Sequence, residues 1–170
     1  MKPSAYSSIP VFKLYGEQHD WLSPDLLHCE TISLRSRVHD WEIRAHRHAD
    51  LCQLLYVHKG RAQVEVEGQL HVLEQSAIQV IPPLCVHGFQ FSPNVEGFVL
   101  TLAAPLVAQL QARLGGSISA LQRVASYPAG KDRHYLNNLF SVLQSEYVGA
   151  QPARDMLCLL YTSPSPRDRG

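Results

Sequence analysis

Three histidines stand in two short segments whose spacing favours a shared site. His46 and His48 are two residues apart, and His87 follows a Pro-Pro pair at 82–83. Residues two apart in a strand point to the same face, so His46 and His48 can enter one interior. Gln53 and His87 would reach that interior from neighbouring strands. Three imidazoles of this kind can hold a zinc ion and leave one coordination position open.

The residue type at position 53 bears on whether a metal is bound. Gln53 offers a neutral amide, whereas non-haem iron sites include a carboxylate. Asp50 does not replace it, because its position places it in the turn after His48. Two interpretations follow: a divalent metal held by His46, His48 and His87, or a metal-free polar pocket with no cofactor.

Arg44 is a candidate for binding a carboxylate ligand. It shares strand parity with His46 and His48, so the alternation of a strand places it in the same interior. A charge-assisted hydrogen bond from an arginine contributes about 1.5–3 kcal/mol. The alternative is an arginine at the strand edge that keeps its charged end in water.

The other candidate ligand contacts lie on the strands that follow. Gln53 and His87 could bind a ligand hydroxyl, and Phe89 could supply an apolar wall. Tyr56 is three residues from Gln53, so strand alternation places it on the opposite face. The predicted ligand-binding residues are Arg44, His46, His48, Gln53, His87 and Phe89.

Short β-prone runs broken by turn residues must position these side chains. Turns are marked at His58–Arg61 and Glu67–Gln69, and Pro82-Pro83 closes a strand. About eight short strands in some 70 residues indicate a small sandwich or barrel. The predicted strands are at about 30–37, 40–46, 51–58, 61–67, 70–74, 77–81, 86–91 and 96–102.

After residue 102 the period becomes helical. Pro105 opens one helix that ends at Gly115-Gly116, a second is predicted over about 131–147, and a third near 153. The second helix carries an apolar stripe that includes Leu136, Leu139 and Leu143. That stripe could pack against the barrel or form a dimer interface, and both functions can use different faces of one helix.

Composition excludes several classes of protein. The chain has 170 residues, with 15 Lys+Arg against 15 Asp+Glu and zero formal net charge. Zero charge argues against nucleic-acid binding by this chain alone, because such binding depends on Lys and Arg neutralising phosphates. No apolar run approaches the ~20 residues that span a bilayer. The four cysteines form no CxxC pair, and the N-terminus lacks a secretory signal, so we expect a cytoplasmic protein with reduced thiols.

The two histidine segments resemble the signature segments of the cupin superfamily. The first segment carries HxH, an acidic residue and a following Gly60, and the second carries a Pro shortly before His87. In metal-binding cupins three histidines and a glutamate hold the ion. This resemblance assigns His46, His48 and His87 to the histidine positions, and Gln53 stands where the glutamate belongs. It implies a cupin-type double-stranded β-barrel followed by two to three amphipathic helices.

A longer resemblance is to the N-terminal sensor domain of AraC-family transcriptional regulators. It rests on Asp40–Val57, Gly60 and Ile81–Phe89, and it covers about residues 9–157. Pro10–Glu17 and Asp132–Leu136 are similar to the activators that respond to para-hydroxybenzoate. In this family a cupin barrel binds a small effector, the following helices dimerise, and a C-terminal pair of helix-turn-helix motifs reads DNA.

The resemblance implies a division of the chain and of its partners. It gives a leader at 1–28, a barrel sensor at 29–103, a helical dimerisation and linker region at 104–157, and a tail at 158–170. The expected partners are a small aromatic carboxylate and a second copy of the chain. DNA would be bound through a C-terminal domain that these residues do not include.

The final segment does not match the rest. Residues 158–170 are rich in Ser and Pro and resemble a translated sequencing-library adapter. We therefore expect the native part of this chain to end near residue 157 because the gene was cut, so that the intact protein can continue into a further domain. The alternative is a natural Ser-Pro linker.

The sequence thus predicts a sensing and dimerisation module and not an enzyme. An alternative is a metal-dependent, dioxygenase-like cupin enzyme that uses His46, His48 and His87. Gln53 weakens that alternative because it replaces a carboxylate. A stand-alone dimeric cupin of structural or storage type is a third interpretation.

Overall fold

The computed structural model describes residues 9–11 and 26–149. The predicted third helix near 153, the tail at 158–170 and most of the leader lie outside the described residues. No helix of the described part is both long enough and apolar enough to cross a membrane.

Short strands separated by tight turns make up most of the described chain. The strands are β1 Leu27–Thr31, β2 Glu42–His46, β3 Leu51–Lys59, β4 Ala62–Val66, β5 Gln69–Leu73, β6 Ala77–Ile81, β7 His87–Phe91, β8 Glu96–Ala103 and β9 Ala125–Pro128. The α-helices are α1 Ile32–Ser36, α2 Ala104–Leu114 and α3 Arg133–Gly149. Short 3-10 helices cover Arg37–His39, Gly115–Gln122 and Gly130–Asp132.

The strands form two antiparallel sheets that face each other. One sheet has the order β1-β8-β3-β6-β9, and the other has the order β2-β7-β4-β5. Their inner faces enclose one apolar cluster, to which Leu55, Val57, Val64 and Phe91 contribute. Burial of alternate residues on both inner faces stabilises such a two-sheet barrel. The predicted fold class, a double-stranded β-barrel followed by helices, is confirmed.

A second apolar cluster lies on the outer face of the first sheet, beneath α2 and α3. Tyr56 is fully buried there, and its hydroxyl donates to the carbonyl of Arg133 at 2.9 Å. Its ring is stacked on Phe140 of α3, with centroids 4.8 Å apart. Tyr56 therefore lies on the face opposite Gln53, as strand alternation predicts.

The predicted strand at 30–37 is wrong over most of its length. β1 ends at Thr31, whose side chain accepts a hydrogen bond from the backbone N–H of Leu34 at 3.2 Å. This N-cap satisfies one free donor of the first turn and starts α1 at Ile32. Local capping thus prevails over the β-prone residue types in this segment.

β9 was not predicted, and it extends the first sheet. It pairs antiparallel with β6, with Ala125 opposite Val80 and Pro128 opposite Ala77. A strand of the region predicted as helical linker therefore forms the edge of the barrel sheet. The predicted domain boundary at residue 103 therefore separates β9 from the other strands of the same sheet.

Candidate functional site

The three histidines converge inside the barrel. The ring centroids of His46 and His87 are 4.3 Å apart, those of His46 and His48 are 4.9 Å apart, and those of His48 and His87 are 5.3 Å apart. One ring nitrogen from each lies within 4.8 Å of the others. The three residues are at most 2% exposed. Two segments separated by almost forty residues thus build one buried polar centre.

A β-bulge in β2 brings His46 into this centre. Ile43 lies opposite Phe89, and His46 lies opposite His87. From one pair to the next, β2 advances by three residues and β7 by two. β2 therefore contains one extra residue, which is a β-bulge. Ile43 and His46 both point inward as a result, although they are three residues apart.

The same bulge overturns the expected orientation of Arg44. Arg44 and Ala45 are both exposed, so neither side chain enters the interior. The parity argument fails because a bulge breaks the alternation between positions 44 and 46. Arg44 contributes its backbone instead, since its carbonyl accepts a hydrogen bond from Nδ1 of His46 at 2.8 Å.

Backbone carbonyls fix the tautomers of two histidines. Nδ1 of His46 donates to Arg44, and Nδ1 of His87 donates to the carbonyl of Cys85 at 2.8 Å. A carbonyl oxygen only accepts, so the proton of each neutral ring lies on Nδ1. The Nε2 atoms of both rings therefore carry a lone pair.

Burial keeps these histidines neutral at ordinary pH. It lowers the pKa of His46 to about 4, against the opposing effect of the hydrogen bond to Arg44. Burial also lowers the pKa of His87 well below its usual value, with a further contribution from His46. The positive charge of Arg35 acts in the same direction on both rings. His46 and His87 are thus neutral imidazoles that feel the charge of one guanidinium.

Gln53 links His87 to β8. Its carboxamide lies 3.1 Å from Nε2 of His87 and 3.5 Å from the hydroxyl of Thr101. Because Nε2 of His87 has only a lone pair, the contact is favourable when the amide NH₂ donates to it. The amide oxygen then accepts from Thr101, since the two ends of a carboxamide have the same shape. Gln53 and Thr101 are buried and satisfy each other in this arrangement.

The donor set does not fit an iron or manganese centre. Within the described residues, the group of possible metal ligands consists of the three histidines and contains no carboxylate, and Gln53 contacts His87 through its amide. Its amide also uses the lone pair of His87 that a metal would require. Such ions prefer a site with a carboxylate ligand.

Phe89 lies where an apolar wall is expected. Its ring is 5.4 Å from that of His87 and is stacked on Phe91 at 5.6 Å. It is 5% exposed and faces the interior from β7. Together with Gln53 and His87, it follows the predicted placement, and the role of each in ligand binding stays a prediction.

A loop clamp that sequence reasoning missed holds His87 in place. The backbone N–H of Glu67 donates to the carbonyl of Val86 at 2.8 Å, and its carboxylate accepts from the N–H of Val86 at 2.5 Å. The N–H of Leu84 donates to the carbonyl of His48 at 2.7 Å. Leu84 adopts a φ of 67°, a region that usually favours glycine. The Glu67-Gly68 turn was visible in the sequence, but its contact with residue 86 was not.

A short N-terminal segment also borders the site. Val11 forms an isolated parallel bridge with Arg47, and the N–H of Arg47 donates to the carbonyl of Pro10 at 3.1 Å. Arg47 lies between His46 and His48, so residues 9–11 run directly beside the HxH motif.

The structure divides the leucine stripe of α3 between two environments. Leu136 and Leu143 pack against the outer cluster, whereas Leu139 is 48% exposed. Tyr135 and Val142 are exposed beside Leu139. Leu136 and Leu143 thus follow the alternative of packing against the barrel, and a dimer interface on the exposed face of α3 would use Tyr135, Leu139 and Val142.

Two facing antiparallel sheets around buried histidines define a cupin-type barrel domain. Residues 29–158, more than half of the chain, match the family described as the AraC-like ligand binding domain. The chain belongs to this family. No curated protein matches the chain.

Solved cupin structures show partial similarity. KdgF from Halomonas sp. is 27% identical, with 36% of this chain and 58% of that protein covered and a TM-score of 0.35. An RmlC-like cupin from Shewanella frigidimarina is also 27% identical, with coverage of 37% and 55% and a TM-score of 0.32. A salicylate 1,2-dioxygenase variant from Pseudoaminobacter salicylatoxidans is 18% identical, with coverage of 41% and 20% and a TM-score of 0.33. The matched part of this chain thus spans little more than half of each of the first two proteins.

Proposed function

We propose that this chain senses a small molecule on behalf of a transcriptional regulator of the AraC type. The observation that carries the proposal is the buried centre of His46, His48, His87 and Gln53 in a member of a ligand-binding family. Burying polar groups costs free energy unless they form hydrogen bonds, so a fold that concentrates four of them has a binding role.

The chemistry of the centre favours binding over catalysis. Neutral imidazole nitrogens accept hydrogen bonds, and the Gln53 amide can donate or accept. A ligand hydroxyl that displaces the amide from Nε2 of His87 would gain a buried acceptor, while Phe89 contacts the apolar part of the ligand. We therefore propose a metal-free pocket with no cofactor.

β3 provides a direct route from the pocket to α3. Gln53 points into the barrel, and Tyr56 on the same strand donates to the carbonyl of Arg133, where α3 begins. An effector that prefers one arrangement of β3 would shift the population of α3 positions. In a regulator this shift would reach DNA-binding segments outside the described residues.

We further propose that the working form is a homodimer through α3. Tyr135 and Val142 are 65% and 61% exposed, and Leu139 lies between them on the same helix face. A two-fold dimer would bury this apolar surface and present two DNA readers at a fixed spacing.

The finer identity of the effector rests on the sequence resemblance. It suggests an aromatic carboxylate such as para-hydroxybenzoate and a role as an activator. Because the chain has zero net charge, we propose that it does not bind operator DNA by itself. A cytoplasmic location stays a prediction.

A thermal-shift experiment tests the sensing function. A panel of aromatic acids that includes 4-hydroxybenzoate is added to the wild-type chain, to Gln53→Leu, and to the control Gln90→Leu on the exposed face of β7. A ligand at 100 times its Kd stabilises a protein by about 2.7 kcal/mol. We expect wild type and Gln90→Leu to respond and Gln53→Leu to lose the response. A panel without any response, or a full response in Gln53→Leu, would contradict the proposal.

A second candidate function is a metal-dependent enzyme. The observation that favours it is the convergence of three histidine nitrogens within 4.8 Å. Elemental analysis of the purified chain separates the two functions. Stoichiometric iron, together with an oxygenase activity that His48→Ala abolishes, would establish the enzyme in place of the sensor.

A further inference from the structure

A buried ion pair lies on the β1 side of the barrel. Arg35 of α1 is hydrogen-bonded through Nη1 to Glu30 of β1, and their side chains are 9% and 16% exposed. Burial raises the pKa of Glu30, but hydrogen bonds and charges from His28 and Arg35 outweigh it, so the pKa lies below its ordinary value. Glu30 is therefore an anion that two basic side chains share.

The second amino group of Arg35 is not satisfied by the described part of the chain. Nη2 is buried, and no residue among 9–11 and 26–149 accepts a hydrogen bond from it. Leaving a buried charged donor without an acceptor is costly, and such groups need a physical explanation. The guanidinium therefore binds Glu30 through Nη1 and keeps Nη2 as an unused donor within the described residues.

The ladder register places Glu30, the partner of Arg35, on the strand that pairs with β8, which borders the histidine centre. Glu30 lies opposite Val99, whose side chain belongs to the apolar cluster inside the barrel, and Val99 is two residues from Thr101 on β8. Thr101 is the partner of Gln53, which contacts His87. The charge of Arg35 also depresses the pKa of both His46 and His87, consistent with this proximity.

We propose that Arg35 anchors a small carboxylate ligand through Nη2, with the histidines and Gln53 binding the remainder of that ligand. This inference rests on the proposed sensing function and assigns to Arg35 the role that sequence parity had given to Arg44. His46 and His87 are neutral, so the Arg35 guanidinium is the positive charge that acts on them. Glu30 engages Nη1, and Nη2 is left for a second acceptor. Carboxylate is the preferred partner of a guanidinium.

Calorimetry with benzoate and its neutral isostere benzamide tests the proposal. Arg35→Lys keeps the positive charge and a donor for Glu30 but loses the second N–H group. Arg44→Lys is the matched control, because it makes the same change at an exposed position of β2. Glu30→Gln removes the negative charge that competes with the ligand. Circular dichroism and Tm identify any variant that has lost its fold.

We expect wild type and Arg44→Lys to bind benzoate more tightly than benzamide. Arg35→Lys should weaken benzoate binding by about tenfold or more, the loss of one charge-assisted hydrogen bond, and leave benzamide binding unchanged. Glu30→Gln should bind benzoate several-fold more tightly, an effect that a purely structural ion pair does not produce.

The failures are distinguishable. Equal benzoate affinity in wild type and Arg35→Lys would overturn the role of Arg35 and leave the sensing function standing. Equal or tighter binding of benzamide would overturn the anionic class of ligand and likewise leave sensing intact. If Arg35→Lys does not fold, unchanged benzoate affinity in Glu30→Gln overturns the proposal. If neither benzoate nor benzamide binds, both this inference and the proposed function are contradicted.

Discussion

The ring of Tyr56 lies almost parallel to that of Phe140, with 15° between the planes and 4.8 Å between the centroids. Phe140 also stacks on Phe98 of β8, at 5.9 Å. One side chain of α3 therefore rests on two adjacent strands of the barrel, and one of these strands carries Gln53. The contact that stabilises the helix on the barrel is also the contact through which the pocket would influence it.

Phe140→Ala should strongly destabilise the protein. The side chain is 7% exposed, and truncating a buried phenylalanine costs about 3–5 kcal/mol, because apolar contacts are lost and a cavity remains. Urea unfolding followed by circular dichroism measures the change. Phe140→Leu is the control that keeps most of the volume, and its loss should be clearly smaller. Equal stabilities of wild type and Phe140→Ala would show that α3 does not depend on this contact.

Gln53→Glu should convert the pocket into a metal site. The carboxylate restores the fourth ligand and removes the amide N–H that uses the lone pair of His87. We expect the variant to retain stoichiometric iron or manganese after dialysis, whereas wild type retains little. Elemental analysis gives the comparison, with Gln90→Glu as a matched exposed control. Equal metal content in wild type and Gln53→Glu would refute the role assigned to the amide.

Stability should fall as the pH drops below about 6.5. The folded-state pKa of His46 is depressed to about 4 by burial, so the folded state favours the neutral ring. Its contribution is fully present above the unfolded pKa near 6.5 and is lost as pH falls to the folded value. The loss is about 3 kcal/mol for His46, and His87 adds to it in the same direction.

Denaturant unfolding at several pH values measures this slope. His46→Gln retains a polar side chain that does not titrate, so the variant should show a shallower dependence between pH 6.5 and 4. An unchanged slope would mean that other groups dominate the acid response.

Gly97→Ala should disrupt the contact between β8 and β3. A Cβ at this position would lie 2.0 Å from the carbonyl oxygen of Tyr56, which is far inside van der Waals contact. The strands would have to separate, so we expect loss of stability of several kcal/mol or failure to fold. Gly116→Ala is the control, because nothing lies within 4 Å of its added Cβ. Thermal unfolding of both variants gives the comparison.

Leu139→Asp should separate a dimer into monomers. Leu139 is 48% exposed, so the change leaves the barrel core intact while placing a charge in the proposed interface. Light scattering coupled to size exclusion measures the mass, and Asn138→Asp on the same helix is the control for charge alone. A wild-type chain that is monomeric at high concentration, or a Leu139→Asp chain that stays dimeric, would argue against an interface on this face.

Much of the barrel was predictable because it depends on local patterns. Alternation and turn residues placed β3, β6 and β8 within a residue or two of their observed ends, and the helical period placed α2 and α3 similarly. HxH in a strand-like segment and a histidine after Pro-Pro were enough to nominate His46, His48 and His87. These signals are short-range, so a single sequence contains them.

What the sequence did not show depends on contacts between distant segments. The bulge that turns Arg44 outward exists only in the register between β2 and β7. The position of Arg35 required knowing that Thr31 caps a helix, since a strand over 30–37 would have placed the side chain differently. β9 is a four-residue edge strand with three exposed residues, and it therefore lacks the alternation that marks other strands.

The position of β9 in the chain, beyond α2, determines where the domain can be truncated. Backbone groups of β6 from Ala77 to Val80 are covered by residues that lie beyond α2 in the chain. In a shortened protein ending at residue 103, β6 would be an unpaired edge strand. Its free backbone donors and acceptors could then pair with other chains and promote aggregation. Expression of the domain should therefore extend at least through Pro128, and on a ribosome the barrel reaches its final form only after that residue has emerged.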